Sequence, residues 1–553
     1  MKQNTRVFKQ LFIHLFIVLL IGGLFFAAGP IRHASAQGAS VWDGIYPTEK
    51  PADMPAVVDR VQEVNSAAQF AWLASRPTMF GSEVDTVKLM VDINLDNHPW
   101  TPSTALSESN KVLDGNGHTI SNLKVTVDNT TPNVTYYAAM FVGNFKQVLI
   151  KGLTIDGANI GVTSTSTNGR VFSAVVYAHN DWYGDLENVT VKNATVTGTK
   201  YVAALTAYGS ETNIKNCTVQ NVTLNVYEKY RPDWSRDLPH IGGLVGLNNA
   251  GLVTGNTVDG LTINLSSVMP TISTDQTGSL LGTAQARVLL RSNTVSNVTV
   301  NGDPYDKLIG LDNHYKVVNV TKMINYATIQ GAINAADAND VIEIEPGTYV
   351  ENVVINKPLT LGGTDKDTVI LLPAFSGSYC DGSSLCDGAS NVILVEADNV
   401  KIHDLTINGN NPDLDNPRDD AVVNGEDIDA RNGIITNHGT NPNLTGLEIY
   451  NTIIKNIFLR GIYMSTNGEF NFHDNIVSNV AGDYASIGLF AFGGYGKFTN
   501  NTVSLTNDAI AANHSKGIEF VGNTVNSSGS GIHTDNSNPG ADKFDLIENN
   551  TIT

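Results

Sequence analysis

Cysteine is nearly absent, with three residues in 553. A chain of this length is not held together by a disulfide framework of that size. Cys380 and Cys386 lie in the Gly/Ser/Asp-rich stretch SYCDGSSLCDG, placed to close a local disulfide in an oxidising compartment. No His or further Cys is close in sequence, which argues against a metal there. Cys217 falls in a strand pattern and reads as a small buried residue, not a nucleophile. Positive charge is scarce as well: 34 Lys and Arg stand against 54 Asp and Glu, a net charge of −20. That balance argues against nucleic acid and anionic membrane surfaces as partners.

Long apolar runs are absent after the first 28 residues. Before that point Lys2, Arg6 and Lys9 precede an apolar run, Leu11 to Ala28, and Ala34-Ser35-Ala36 offers a small-x-small cleavage site before Gln37. This order is that of a secretory signal peptide over residues 1–36. The competing reading is an uncleaved anchor, since the run reaches the lower limit of a membrane span. After cleavage no span remains, and the expected location is extracellular, either secreted or at the cell surface.

What is abundant is Gly, Asn, Thr and Val, arranged in a repeat. A nine-residue unit begins at 117 (GHTISNLKV), 147 (QVLIKGLTI), 188 (NVTVKNATV), 216 (NCTVQNVTL), 255 (GNTVDGLTI) and 292 (SNTVSNVTV). It returns at 399 (NVKIHDLTI), 446 (GLEIYNTII), 469 (EFNFHDNIV), 495 (YGKFTNNTV), 517 (GIEFVGNTV) and 544 (FDLIENNTI). The fourth and ninth positions are apolar throughout. The sixth is Asn122, Gly152, Asn193, Asn221, Gly260, Asn297, Asp404, Asn451, Asp474, Asn500, Gly522 or Asn549. These residue types tolerate the left-handed region, so each unit reads as two short β-branched strands joined by a sharp bend. Stacking would align the bends, let their amides bond along the stack and build internal apolar ladders. Starts 22 to 27 residues apart over 446–544 fit one turn of a three-strand coil, and spacings of 28 to 41 in the first half mean loop insertions. The expected fold is all-β, a right-handed parallel β-helix. A propeller would need longer four-strand units, and a sandwich would show no fixed bend column. The Asn-x-Thr triplets at Asn188, Asn193 and Asn221 match a glycosylation pattern, but the repeat explains them better.

Two tandem solenoids are expected, because a capping pattern occurs twice. Residues 65–74 (NSAAQFAWLA) read as a short helix capped by Asn65 or Ser66, followed by the strand-like segment VKLMVDINL at 87–95. Residues 328–336 (TIQGAINAA) repeat it, followed by VIEIEPG at 341–347. Each helix would plug the N-terminal end of its own β-helix. The division is a leader at 1–36, a first domain at 37–318 and a second at 319–553, with the repeat interrupted near 304–325. The sequence stops one residue past a repeat unit, at Thr553, so another subunit or further chain is expected to cover that end.

With AAQFAWLA, VDINLDN, LDGNGHTISNL and IGGLVGLNN, the first region resembles bacterial surface proteins with Gly-Leu-rich β-helix repeats. With YATIQGAINAA, PGTYVENVVINKPLTLGG and the NNTV-type turns, the second resembles the pectin-lyase-like superfamily. That resemblance implies the β-helix and a carbohydrate association. GTYVENV at 347–353 looks like the first block of pectin methylesterases, a largely structural one. The later blocks that carry catalytic aspartates in that family are missing, as are the polygalacturonase set and the pectate-lyase WIDH block. Asp419-Asp420 match only a bare DD pair.

Two places are left as candidate sites. The strand before each late unit aligns as IITNH (434–438), IYMST (462–466), IGLFA (487–491), IAANH (510–514) and IHTDN (532–536). This stacks Asn437, Ser465, Asn513 and Asp535 in one column, with His438, Thr466, His514 and Asn536 beside them and His533 nearby. His438, His514, His533 and Asp535 are the catalytic candidates, since a base beside a neutralising group suits polysaccharide lysis and paired carboxylates suit hydrolysis. Asn437, Ser465, Asn513 and Asn536 are the substrate-binding candidates. The competing reading is an exposed polar face that solvates the coil. The second place is the insertion 411–431, where Asp413, Asp415, Asp419, Asp420, Glu426, Asp427 and Asp429 offer the oxygen ligands Ca²⁺ takes, without EF-hand spacing. A solvated acidic loop is the bland reading, although insertions on solenoids often form the binding face. The function expected is a polysaccharide-binding or adhesive β-helix protein. The alternatives are an enzyme on acidic glycans (lyase, epimerase or hydrolase) and a structural stalk without ligand.

Overall fold

The computed structural model describes residues 38–131, 134–144, 147–163, 170–180, 184–227, 229–230, 236–266, 274–376, 384–385, 390–414, 422–535 and 544–553. The leader, Cys380, Cys386, Asp415, Asp419, Asp420 and Asn536 lie outside these residues. Among the described residues no helix is long and apolar enough to cross a membrane.

The chain winds into two tandem right-handed parallel β-helices, the hand that parallel crossovers take. The first has sheets of thirteen, twelve and five strands, the second of ten, eight and seven. Strands pair with the equivalent strand one coil away: Thr154 opposes Thr190, Thr190 opposes Thr218, and Thr218 opposes Thr257. One apolar cluster runs from Trp42 to Val300 and a second from Val317 to Val525. All twelve sixth-position residues have positive φ, between 50° and 70°. That is the left-handed conformation the bend requires.

The pairing corrects one unit. Thr154 opposes Thr119 and Thr190, so Gly157, not Gly152, shares the column of Asn122 and Asn193. The unit starting at 147 is five residues out of register. The cause is a second left-handed bend in each coil, at Gly117, Gly152, Asn188, Asn216, Gly255 and Ser292, followed two residues later by a Thr-apolar pair.

The stack is not bonded mainly through the bend amides. Asn193 and Asn297 reach Asp156 and Asp259 of the preceding coil, and among the described residues only Asn451 bonds a sixth-position partner, Asp404. The continuous ladder lies one residue later and is internal. Asn475 Nδ2 donates to Asn501 Oδ1 at 3.0 Å, Asn501 to Asn523 at 3.0 Å and Asn523 to Asn550 at 2.9 Å. Asn501 Nδ2 also donates to Phe472 O, and its Oδ1 accepts from the Asn475 backbone N–H. All four bonds a side-chain amide can make are thus formed. In the first β-helix Asn256 and Asn293 play this part, and Cys217 N–H donates to Asn256 Oδ1. Cys217 itself is fully buried, and burial pushes its thiol up to about 12.

Both caps form. Helix Ala67–Ala74 is capped by Ser66, whose hydroxyl accepts from Gln69 N, and Gln69 Oε1 accepts from Asn65 N. Helix Ile329–Ala335 is capped by Thr328. Glu351 of the GTYVENV block accepts from Ile329 N and Gln330 N, while Gln330 Oε1 accepts from Val354 N. The block thus anchors the helix.

The last strand of the first β-helix is Ile309–Asp312, and Val317–Asn319 already pairs with Asp340–Ile344 of the second. At this junction Asn325 Nδ2 lies 3.0 to 3.1 Å from the carbonyl oxygens of Ala286, Val288 and Tyr315, which share its two hydrogens. The His314 side chain is 7% exposed and bridges Asp312 and Glu345, with Nε2 2.9 Å from Glu345 Oε2. Burial pulls the imidazole down, but the two carboxylates outweigh it and hold His314 up at about 9.

Two outcomes follow for stability. Asn501→Ala strips partners from Asn475 and Phe472 and is expected to cost about 3 kcal/mol or more, read as a lower urea midpoint. An unfolded His titrates near 6.5, so the stabilisation from protonated His314 is complete below that pH and is lost as pH rises through about 9. The melting-temperature gap between wild type and His314→Gln should be widest near roughly pH 6 and close by about pH 10.

Candidate functional site

The seven-stranded sheet of the second β-helix carries the polar strip expected from sequence. Its strands are Val353–Ile355, Asn391–Val395, Asn432–Thr436, Arg460–Ser465, Ile487–Phe492, Asp508–Asn513 and Ser530–Asp535. Ile462 and Met464 enter the core, whereas Tyr463 lies in a separate apolar cluster with Ile435, Ile487, Phe490 and Ala511. That cluster lies on the outer face. Beside it a Cβ at Gly461 would stand 2.4 Å from Gly488 O.

The strip is interrupted. Ile462 opposes Leu489, not Ile487, so the strand expected as 487–491 pairs two residues later. Phe492 therefore stands between Ser465 and Asn513, and Asp535 follows Asn513. A slip of two keeps every side chain on its face, so alternation gives no warning of it. His533 opposes Ala511, in the column of Tyr463 and Phe490. Thr466 leaves the strip altogether; it is buried, with its hydroxyl donating to Leu444 O.

The remaining candidates separate. Asn437 Nδ2 donates to Glu396 at 2.7 Å, and His438 meets the edge of Tyr463. His514 has φ +55° and packs edge-on against Phe492. Three strand spacings, about 14 Å, separate His438 from His514, so the two do not act on one bond. Asp535 is exposed. His533 Nδ1 lies 3.5 Å from Asp508 Oδ2.

Residues the sequence reading passed over dominate this face. Tyr463 and Phe490 stack with centroids 4.8 Å apart and planes 8° apart. The Arg460 guanidinium sits over both, 5.0 Å from the Phe490 centroid and 5.6 Å from that of Tyr463. Arg460 is 9% exposed and, among the described residues, donates only to the backbone carbonyls of Leu459 and Ala485, while its buried Nε has no hydrogen-bond partner among them. No carboxylate among the described residues pairs with it. Burial pulls its pKa down to about 10, which leaves it charged at neutral pH; Arg431 pushes the same way, while Tyr463, Asp483 and Asp508 nearby push it back up. Tyr484, 94% exposed, stands beside Ala485 on the rim, and Phe492 is also exposed. The signal for this group was period-two alternation with an arginine at the strand start, which equally describes an ordinary strand.

In the acidic insertion, Asp429 is buried, accepts from Asn411 N and has its pKa raised by that burial. Glu426 accepts from Asn410 Nδ2, and Glu426–Asp427 pairs with Val422–Val423 in a short hairpin. Asp413 is exposed in a turn. Among the described residues no three His, Cys, Asp or Glu side chains gather as a metal site.

No family model matches the chain, and no curated protein matches it in sequence. Solved structures similar to it include pectin methylesterase from Yersinia enterocolitica, at 14% identity over 41% of this chain and 90% of that one, with a TM-score of 0.29. The PL6 family alginate lyase AlyGC is similar at 10% identity over 90% of this chain and 96% of that one, TM-score 0.20. The Azotobacter vinelandii mannuronan C-5 epimerase AlgE6 A-module is similar at 12% identity over 85% and 90%, TM-score 0.15. Likeness at this level carries no argument about what this chain does, and the β-helix stands on its own strand pairing.

Proposed function

We propose that this chain is an exported protein that binds acidic polysaccharide along the outer face of the seven-stranded sheet, with Arg460 receiving a uronate carboxylate. The observation that carries the reading is Arg460 itself, a buried cation with no carboxylate partner among the described residues. An unpaired buried charge is costly. An anionic ligand completes the pair, and the planar guanidinium fork fits a carboxylate in two parallel bonds. The stacked rings hold the fork in place. Tyr484 and Phe492 offer exposed ring faces to sugar C–H groups, and Asn437, Ser465, Asn513 and Asp535 offer polar edges to hydroxyls.

A second reading, catalysis, is favoured by one contact. His533 is exposed and lies beside Asp508, which opposes Ile487 of the Arg460 column. A histidine oriented by a carboxylate next to a uronate site is placed to remove a C5 proton.

Purified residues 37–553 are expected to bind polygalacturonate or alginate in titration calorimetry, more weakly as salt rises. Arg460→Gln should weaken binding tenfold or more, about 1.4 kcal/mol. No binding to either polymer, and no shift in melting temperature with sugar or Ca²⁺, would leave a stalk. Unsaturated uronate absorbance that disappears in His533→Ala would establish the catalytic reading. Arg460→Met should leave the melting temperature unchanged or raise it, because replacing a buried cation that has no carboxylate in direct contact among the described residues with an apolar side chain removes a desolvation cost. A structural ion-pair role would instead cost about 3–5 kcal/mol.

A further inference from the structure

The first β-helix carries a ring-lined surface of its own. On successive strands Tyr137 opposes Phe172, Phe172 opposes Tyr201, and Tyr201 opposes His240. Across a short bend a second column runs through His179, Tyr208, Leu247 and Thr283. Outward side chains on two sheets diverge where the bend between the sheets is convex. Here they meet. Tyr137 stacks on His179 at 5.9 Å, Tyr201 contacts Tyr208 at 5.5 Å, and His240 Nδ1 lies 2.7 Å from Thr283 Oγ1. The bend is therefore re-entrant, and the two faces form a cleft parallel to the β-helix axis.

The cleft floor is almost continuous aromatic surface. Phe172 lies 4.5 Å from Tyr201, and His179 lies 4.8 Å from Tyr208. Tyr137, Phe172, His179, Tyr201 and Tyr208 all keep part of their surface exposed. If the rings only filled a corner, aliphatic side chains would serve; these bring polar tips to the edge. Tyr208 OH accepts from Asn249 Nδ2, and Lys200 Nζ sits 5.4 Å from the Tyr201 centroid. Neither column contains a carboxylate. A polycation thus finds no counter-charge here. A polyanion meets a single lysine on a chain of net charge −20.

We propose that this cleft binds the uncharged pyranose rings of a polysaccharide lying along the β-helix axis. The C–H groups on one face of a pyranose carry slight positive charge and suit the negative faces of the rings. Its hydroxyls suit the polar edges of the tyrosines and of His179. The three strands that carry Tyr137, Phe172 and Tyr201, at about 4.8 Å spacing, give an accessible run of roughly 10 Å, longer than one sugar. This site stands on its own residues and does not depend on the Arg460 face.

The test is affinity electrophoresis of residues 37–553 in native gels cast with hydroxyethyl cellulose, galactomannan or arabinoxylan. At least one polymer should retard the wild type. Tyr201→Leu and Tyr208→Leu, which keep apolar bulk and remove the ring, should weaken that retardation tenfold or more. Tyr208→Phe should retain it, and so should Arg460→Gln, which separates this site from the acidic-polysaccharide face. Thermal melts of the leucine variants identify any that do not fold; for these, Tyr201→Phe with Phe172→Leu replaces the pair, and the loss is expected in Phe172→Leu alone. The proposal is overturned if none of the three polymers retards the wild type. It is also overturned if retardation survives loss of the rings, or if sedimentation shows the rings holding two copies of the chain together.

Discussion

An asparagine amide buried inside a coil has no water to bond and too few partners within its own turn. Asn501 resolves this by bonding in both directions, to Asn475 and Phe472 on one side and to Asn523 on the other. No coil is polar-satisfied alone, so the stack forms together and in one register. Left-handed bends make the coil possible, and the amide ladder fixes which coil sits on which. The same reasoning applies at the junction, where Asn325 closes three carbonyls and His314 joins Asp312 to Glu345.

With the interior committed to this ladder and its apolar neighbours, chemistry is left to the outward columns. Parallel pairing in register copies any outward position from coil to coil. A ligand site on such a scaffold is therefore a stripe, in contrast to a pocket. The Tyr463–Phe490 stack with Arg460 interrupts one stripe with a single charge. Loops add the rim, as Tyr484 does.

The parts legible in sequence were those with one physical solution. Asn, Asp or Gly at twelve bends answered a demand for positive φ, and Ser66 and Thr328 answered a demand for helix caps. What stayed hidden had degenerate solutions. Two bends per coil follow the same local pattern, so the unit at 147 fitted five residues away from its register. Phe492 entered the polar strip through a slip that preserves alternation. Tyr463 and Phe490 carried no distinguishing signal, because a covered outer face and an inner face ask for the same residues. Arg460 gave no signal, because its burial depends on neighbours more than 20 residues away in sequence.

The rings of the first β-helix are tied to its strands, and this sets a pitch. Insertions lengthen the loops between units, yet each returning strand takes its place one hydrogen-bonded spacing, about 4.8 Å, further along the axis. Aromatic columns on such a body act as a ruler. A polymer whose own repeat keeps step with that ruler engages every rung. One that does not drifts out of phase after a few residues, whatever the quality of each single contact. Discrimination between chains of similar sugars then resides in periodicity, and a change in strand pairing would alter it more than a change in any one ring.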